Sequence, residues 1–125
     1  MSNGSRARVL VVDDNDVVRR ALRGLIAHDE TLEVVGEAAS GTSGLESIRT
    51  LQPDVVCLDI MMPGVDGLTI LRQVRADYPA MRVVLITGQA TPEVVAQARE
   101  LGARGFVVKP FVGAKVLKTI HAALA

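Results

Sequence analysis

Asp54-Val55-Val56-Cys57-Leu58-Asp59 is a short apolar run set between two aspartates. It is apolar at every position between them rather than at alternate ones. That is how a β-strand covered on both faces reads. Runs of the same kind lie far to either side, at Val9–Val12 and Val83–Ile86. Another, with Glu33 and Glu37 in it, is more mixed and suits a sheet edge. The expected strands are Arg8–Val12, Glu33–Ala38, Val55–Leu58, Arg82–Ile86 and Phe106–Val108.

The segments between them have helical spacing. Val18, Leu22, Leu25 and Ile26 share a face, as do Leu45, Ile48 and Leu51. So do Leu68, Leu71 and Val74; Val95, Ala98 and Leu101; and Leu117, Ile120 and Leu124. Pro53 and Pro79 follow helix ends, Thr91-Pro92 reads as an N-cap with proline at the first helical position, and Gly102 reads as a helix stop. Alternating strands and helices predict a doubly wound parallel sheet with right-handed crossovers and helices on both faces. The expected fold is α/β, a flavodoxin-like (βα)5 unit of five strands. The order 2-1-3-4-5 is assigned partly by analogy.

The 125 residues amount to one domain, divided as a tail over 1–7 and a folded unit over 8–125. Hydrophobic residues make up 49%, a globular fraction that speaks against disorder. The 14 basic and 14 acidic residues cancel, so there is no basic footprint for direct nucleic-acid binding. Cys57, the only cysteine, excludes an intrachain disulfide, and a small buried hydrophobe is its plain reading. No apolar stretch has the length of a membrane span or of a signal-peptide core, so no membrane association and a cytoplasmic location are expected.

In an open parallel sheet, ligands bind beyond the carboxyl ends of the strands. Asp13 and Asp14 follow the first strand, Asp59 the third, Thr87 and Gly88 the fourth, and Lys109 and Pro110 the fifth. Each has a plain reading when taken alone: helix capping, a turn, a strand end, a solvated lysine. Together they bring three carboxylates, a hydroxyl and an ammonium to one edge. Such a carboxylate cluster invites a hard cation, and Mg²⁺ suits it. A carboxylate can also serve as nucleophile for a phosphoryl group, with the lysine and the hydroxyl answering its charge.

At these positions the sequence resembles the receiver domain of two-component response regulators, from Arg8 to Leu124. The matching residues are Asp13-Asp14, Asp59-Ile60-Met61-Met62-Pro63-Gly64-Val65-Asp66-Gly67, Thr87-Gly88 and Lys109-Pro110-Phe111. The resemblance implies that Asp59 accepts a phosphoryl group from a histidine kinase or phosphotransfer protein. It implies Mg²⁺ held by Asp14 and Asp59, by the Met61 backbone carbonyl, and by Asp13 through water. Lys109 would pair with Asp59 and then with the phosphate. Thr87 would close onto the phosphate beside the backbone N–H groups of Ile60 and Gly88. Phe106 stands where the family places an aromatic whose rotamer follows that threonine; a plain core residue is the alternative. The Lys109–Pro110 peptide is expected to be cis.

A signalling phosphoacceptor that promotes its own phosphorylation and dephosphorylation is therefore expected, rather than an enzyme. Its output would pass through the surface of the fourth helix, fifth strand and fifth helix to a partner or attached effector domain. A phosphorylation-dependent dimer, and stand-alone regulator versus piece of a longer protein, stay open. An aspartate-nucleophile hydrolase would carry a second acid at the position of Met61, and a flavodoxin would not place Asp13-Asp14 against a phosphate. His28 and His121 are expected at the surface, away from the carboxylates.

Overall fold

In the computed structural model, which describes residues 6–125, five strands alternate with five helices. They are β1 (Ala7–Val12), α1 (Asp16–Ala27), β2 (Leu32–Ala38), α2 (Gly41–Leu51), β3 (Val55–Leu58), α3 (Gly67–Asp77), β4 (Arg82–Thr87), α4 (Pro92–Glu100), β5 (Gly105–Val108) and α5 (Gly113–Leu124). All pairings are parallel and the order is β2-β1-β3-β4-β5, as the periodicity and analogy led us to expect. The mixed strand β2 is at an edge. Four strands run one residue beyond their expected ends because the extra residue finds a partner in the ladder. Ala7 pairs with Leu32, Gly105 with Val84, and Thr87 with Val108. Ala7 thus leaves the expected tail for the sheet, and residues 1–5 of that tail lie outside the described residues.

Alternation along the buried strands divides the interior into two layers. Leu10, Val12, Val56, Leu58, Val83 and Leu85 pack against Ile48 of α2, Ile70, Leu71 and Val74 of α3, and Ala98 of α4. Val9, Val11, Val55, Cys57, Val84 and Ile86 pack against Leu22 and Ile26 of α1 and Val116, Ile120 and Ala123 of α5. Every residue of β3 is buried, which is why that strand has no polar position between its flanking aspartates. Burial pushes the Cys57 thiol up to about 12, so it stays protonated and inert.

The helix boundaries have local causes. Asn15, Ser40, Asp66 and Thr91 cap α1 to α4 by accepting backbone N–H bonds, and Pro92 occupies the first turn of α4. Gly102, at φ 92°, ends α4 in the left-handed region. Among the described residues, no helix is long and apolar enough to cross a membrane.

His121 of α5 is half-exposed and reaches Asp29, beyond the end of α1, at 2.7 Å. The Thr31 hydroxyl donates to the same carboxylate at 2.6 Å. The Thr31 side chain first, and then His121, hold Asp29 down to about 2 from 3.8. A lowered folded-state value means that the stabilisation is present above pH 3.8 and fades as pH falls toward 2. Asp29→Asn should therefore lower stability at neutral pH by about 1 kcal/mol, after allowing for solvent screening. The difference from wild type should close across that acid window, read as urea midpoints against pH. A difference independent of pH would show that the pairing contributes nothing as an ionised group.

Candidate functional site

The acids, the threonine and the lysine expected beyond the carboxyl ends of the strands lie at those ends. Asp13 continues β1, its N–H bonded to the Ala38 carbonyl at 3.0 Å. Asp59 continues β3, its N–H bonded to the Val12 carbonyl at 3.0 Å. These sheet-like bonds fix both side chains beside one another. Asp13 is 1% exposed and Asp59 4%, whereas Asp14 faces solvent. Buried carboxylates need partners. Asp13 accepts the Asn15 N–H at 2.9 Å, and Asp59 accepts the Met61 N–H at 3.0 Å.

Lys109, one residue past β5, supplies the counter-charge. Its Nζ lies 2.7 Å from Asp13 Oδ2 and 3.0 Å from Asp59 Oδ2. The lysine thus bridges two strands' aspartates, where the resemblance implied a pairing with Asp59. Burial of the ammonium pulls its pKa down. Hydrogen bonds and charge from Asp13 and Asp59 outweigh that and leave it above the ordinary lysine value. The Lys109–Pro110 peptide is cis, and the Lys109 N–H bonds to the Thr87 carbonyl at 2.9 Å, tying the ends of β4 and β5 together.

Thr87 is fully buried as the last residue of β4, and its hydroxyl accepts the Gln89 N–H at 3.3 Å. In the ladder Leu85 pairs with Phe106 and Thr87 with Val108, so Thr87 and Phe106 lie on one face of the sheet, offset by two residues along the ladder. Phe106 is partly buried against the layer under α2, α3 and α4. The Ile60 side chain is buried, whereas Met61 is 54% exposed and Gly88 is exposed.

Gly67 shapes the site and was read from the sequence only as part of a longer stretch. A Cβ there would lie 2.6 Å from Ile60 Cα and 2.7 Å from the Asp59 carbonyl oxygen. Only glycine lets α3 begin this close to the loop that carries Asp59.

Asp13, Asp14 and Asp59 each offer a carboxylate oxygen, all within 4.8 Å of one another. Hard oxygen donors at that spacing fit a small divalent cation, with one exposed ligand leaving an approach from solvent. The arrangement can hold a cation and an anion side by side: carboxylates for the first, and Lys109, the Thr87 hydroxyl and loop N–H groups for the second.

A family model described as the response regulator receiver domain matches residues 9–121. The nitrate/nitrite response regulator protein NarL of Escherichia coli K12 is 35% identical over 125 residues, covering 100% of this chain and 58% of that protein. Protein-glutamate methylesterase/protein-glutamine glutaminase 5 of Myxococcus xanthus is 43% identical over 107 residues, covering 85% of this chain and 31% of that protein. The chain therefore spans less than two thirds of these curated relatives. Among solved structures, that of the CheX–CheY–BeF₃–Mg²⁺ complex from Borrelia burgdorferi superposes with a TM-score of 0.92 at 29% identity, covering 98% of this chain and 92% of that one.

Proposed function

Because this chain belongs to the response regulator receiver domain family and so has a phosphoacceptor signalling role, we propose that Asp59 accepts the phosphoryl group. The observation that carries the assignment is the Lys109 bridge, which aligns Asp59 beside Asp13 at the sheet edge. Asp13 is held likewise by the lysine and a backbone N–H, so the choice of Asp59 between them rests on its place at the head of the stretch Asp59–Gly67 that carries the resemblance. In the transfer, an Asp59 carboxylate oxygen forms a bond to phosphorus. The bond from phosphorus to the donor's imidazole nitrogen breaks, and that nitrogen keeps the electron pair. Lys109 then answers the added negative charge, the Thr87 hydroxyl turns from Gln89 toward a phosphate oxygen, and the Ile60 and Gly88 N–H groups donate to the others. Bound Mg²⁺, held by Asp13, Asp14, Asp59 and the Met61 carbonyl, would neutralise the carboxylates and the phosphate oxygens.

The same groups favour both making and breaking the acyl phosphate, so the domain promotes its own phosphorylation and dephosphorylation without being an enzyme for another substrate. Residues 8–125 form the switching unit. Movement of Thr87 frees space on the face that Phe106 shares, and the α4-β5-α5 surface passes the change to an output protein or an attached effector domain. A histidine kinase or phosphotransfer protein is the donor, and a phosphorylation-dependent dimer is compatible with this surface. The balanced charge agrees with a domain that does not itself bind nucleic acid.

The test is intact mass after treatment with acetyl phosphate. One phosphoryl adduct should form with Mg²⁺ and none with excess chelator. Asp14→Ala should raise the Mg²⁺ concentration needed for half-maximal labelling by roughly tenfold or more. Labelling that ignores Mg²⁺ would overturn the metal assignment.

A further inference from the structure

An arginine outside the carboxylate cluster contacts its backbone. Arg19 lies on the second turn of α1 and is only 14% exposed as a side chain. Its Nη1 donates to the Asp13 backbone carbonyl at 2.6 Å. The opposite arm pairs with Asp16, and Nε lies 3.4 Å from Glu37 Oε1 on β2. Arg23, one turn further along α1, holds the other Glu37 oxygen at 2.5 Å.

Glu37 can reach α1 only because β2 is irregular. Val9 pairs with Val34, but Leu10 pairs with Gly36, leaving Val35 as an extra residue. Val34 packs in the α1 and α5 layer. In a regular strand, residue 37 would face away from that layer. The bulge reverses the alternation. A Cβ on Gly36 would meet Leu51 of α2, Ala38 joins the α2 and α3 layer, and Glu37, opposite Val11, turns to α1. Bulges commonly re-aim a side chain next to a functional site.

We infer that Arg19 is a positioning residue for the metal-binding loop, clamping the Asp13 backbone, with Glu37 steering its guanidinium through the bulge at Val35. This rests on the phosphoacceptor reading for its consequence but not for its geometry. Arg19 holds the Asp13 carbonyl, while the Asn15 N–H and Lys109 hold its carboxylate.

The sign of the effect separates positioning from simple charge. Arg19 is a cation near three carboxylates, so by electrostatics alone its removal should tighten Mg²⁺ binding. A clamp predicts the reverse. In calorimetric titration with MgCl₂, Arg19→Met should weaken binding by about tenfold. Glu37→Gln removes a negative charge and would weaken Mg²⁺ binding on that ground alone, so its effect is read in the exchange of the Asn15 amide, which it should speed less than Arg19→Met does. Arg20→Met removes the same charge as Arg19→Met from an exposed position on α1 and should not weaken Mg²⁺ binding. In metal-free protein, exchange of the Asn15 amide should be about tenfold faster in Arg19→Met than in wild type, as the loop opens more readily. Mg²⁺ binding that is unchanged or tighter in Arg19→Met, or unchanged Asn15 exchange, would overturn the clamp. A wild type that takes up no Mg²⁺ would instead overturn the phosphoacceptor proposal, and the exchange measurement, which needs no metal, would still decide the clamp.

Discussion

Asp59→Asn is expected to take no phosphoryl group from acetyl phosphate under conditions that fully label the wild type, the largest functional change that one substitution should produce here. Asparagine keeps the shape of the side chain and its oxygen can still accept the Met61 N–H, now 3.0 Å from Asp59 Oδ1. What it lacks is an anionic oxygen able to attack phosphorus. The fold should survive, because Lys109 retains Asp13 at 2.7 Å. Intact mass spectrometry, with thermal melting as the folding control, reads the result. A surviving adduct in a folded variant would move the acceptor to another carboxylate of the cluster and sink the assignment of Asp59.

Lys109→Met should produce the largest loss of stability. Methionine keeps much of the apolar stem but removes the one ammonium shared by two buried carboxylates. Breaking a buried ion pair from one side leaves an uncompensated charge and costs about 3–5 kcal/mol. Lys109 retains 21% exposure, so water relieves part of that and about 2–3 kcal/mol is the expected loss. In a domain of this size that corresponds to roughly 10 °C in melting temperature. Mg²⁺ should restore part of it, and should raise the melting temperature more in the variant than in wild type, since the lysine no longer competes for the same carboxylates. NaCl at matched ionic strength separates specific binding from screening. Equal melting temperatures in metal-free wild type and variant would show that the bridge contributes nothing to stability.

Most of the architecture was legible because it rests on periodicity and punctuation. The wholly apolar runs at Val9–Val12, Val55–Leu58 and Val83–Ile86 mark the three inner strands, and β2 at an edge follows from Glu33 and Glu37. Once parallel pairing is accepted, residues just past the strands must share one edge. Asp13, Asp59, Thr87 and Lys109 could thus be picked out while nothing local distinguished any of them. The strand ends were less legible by one residue. Whether Ala7 or Gly105 belongs to a strand depends on the partner across the ladder, which local sequence does not state.

By itself, the sequence determined the type and order of the elements, the edge that collects the chemistry, and the identities of the groups there, since burial pattern and chain order depend on covalent sequence. The tertiary structure alone decided how those groups share one another. That Lys109 bridges Asp13 as well as Asp59 depends on distances between three strand ends. That Gly67 must lack a side chain depends on the approach of α3 to the Asp59 loop. That Glu37 turns toward Arg19 depends on one unpaired residue, Val35, and a bulge is a mismatch between two strands rather than a property of either. Periodicity is written along a chain, but register and charge sharing exist only between segments brought together by folding, where a shift of one residue exchanges the two faces of a sheet.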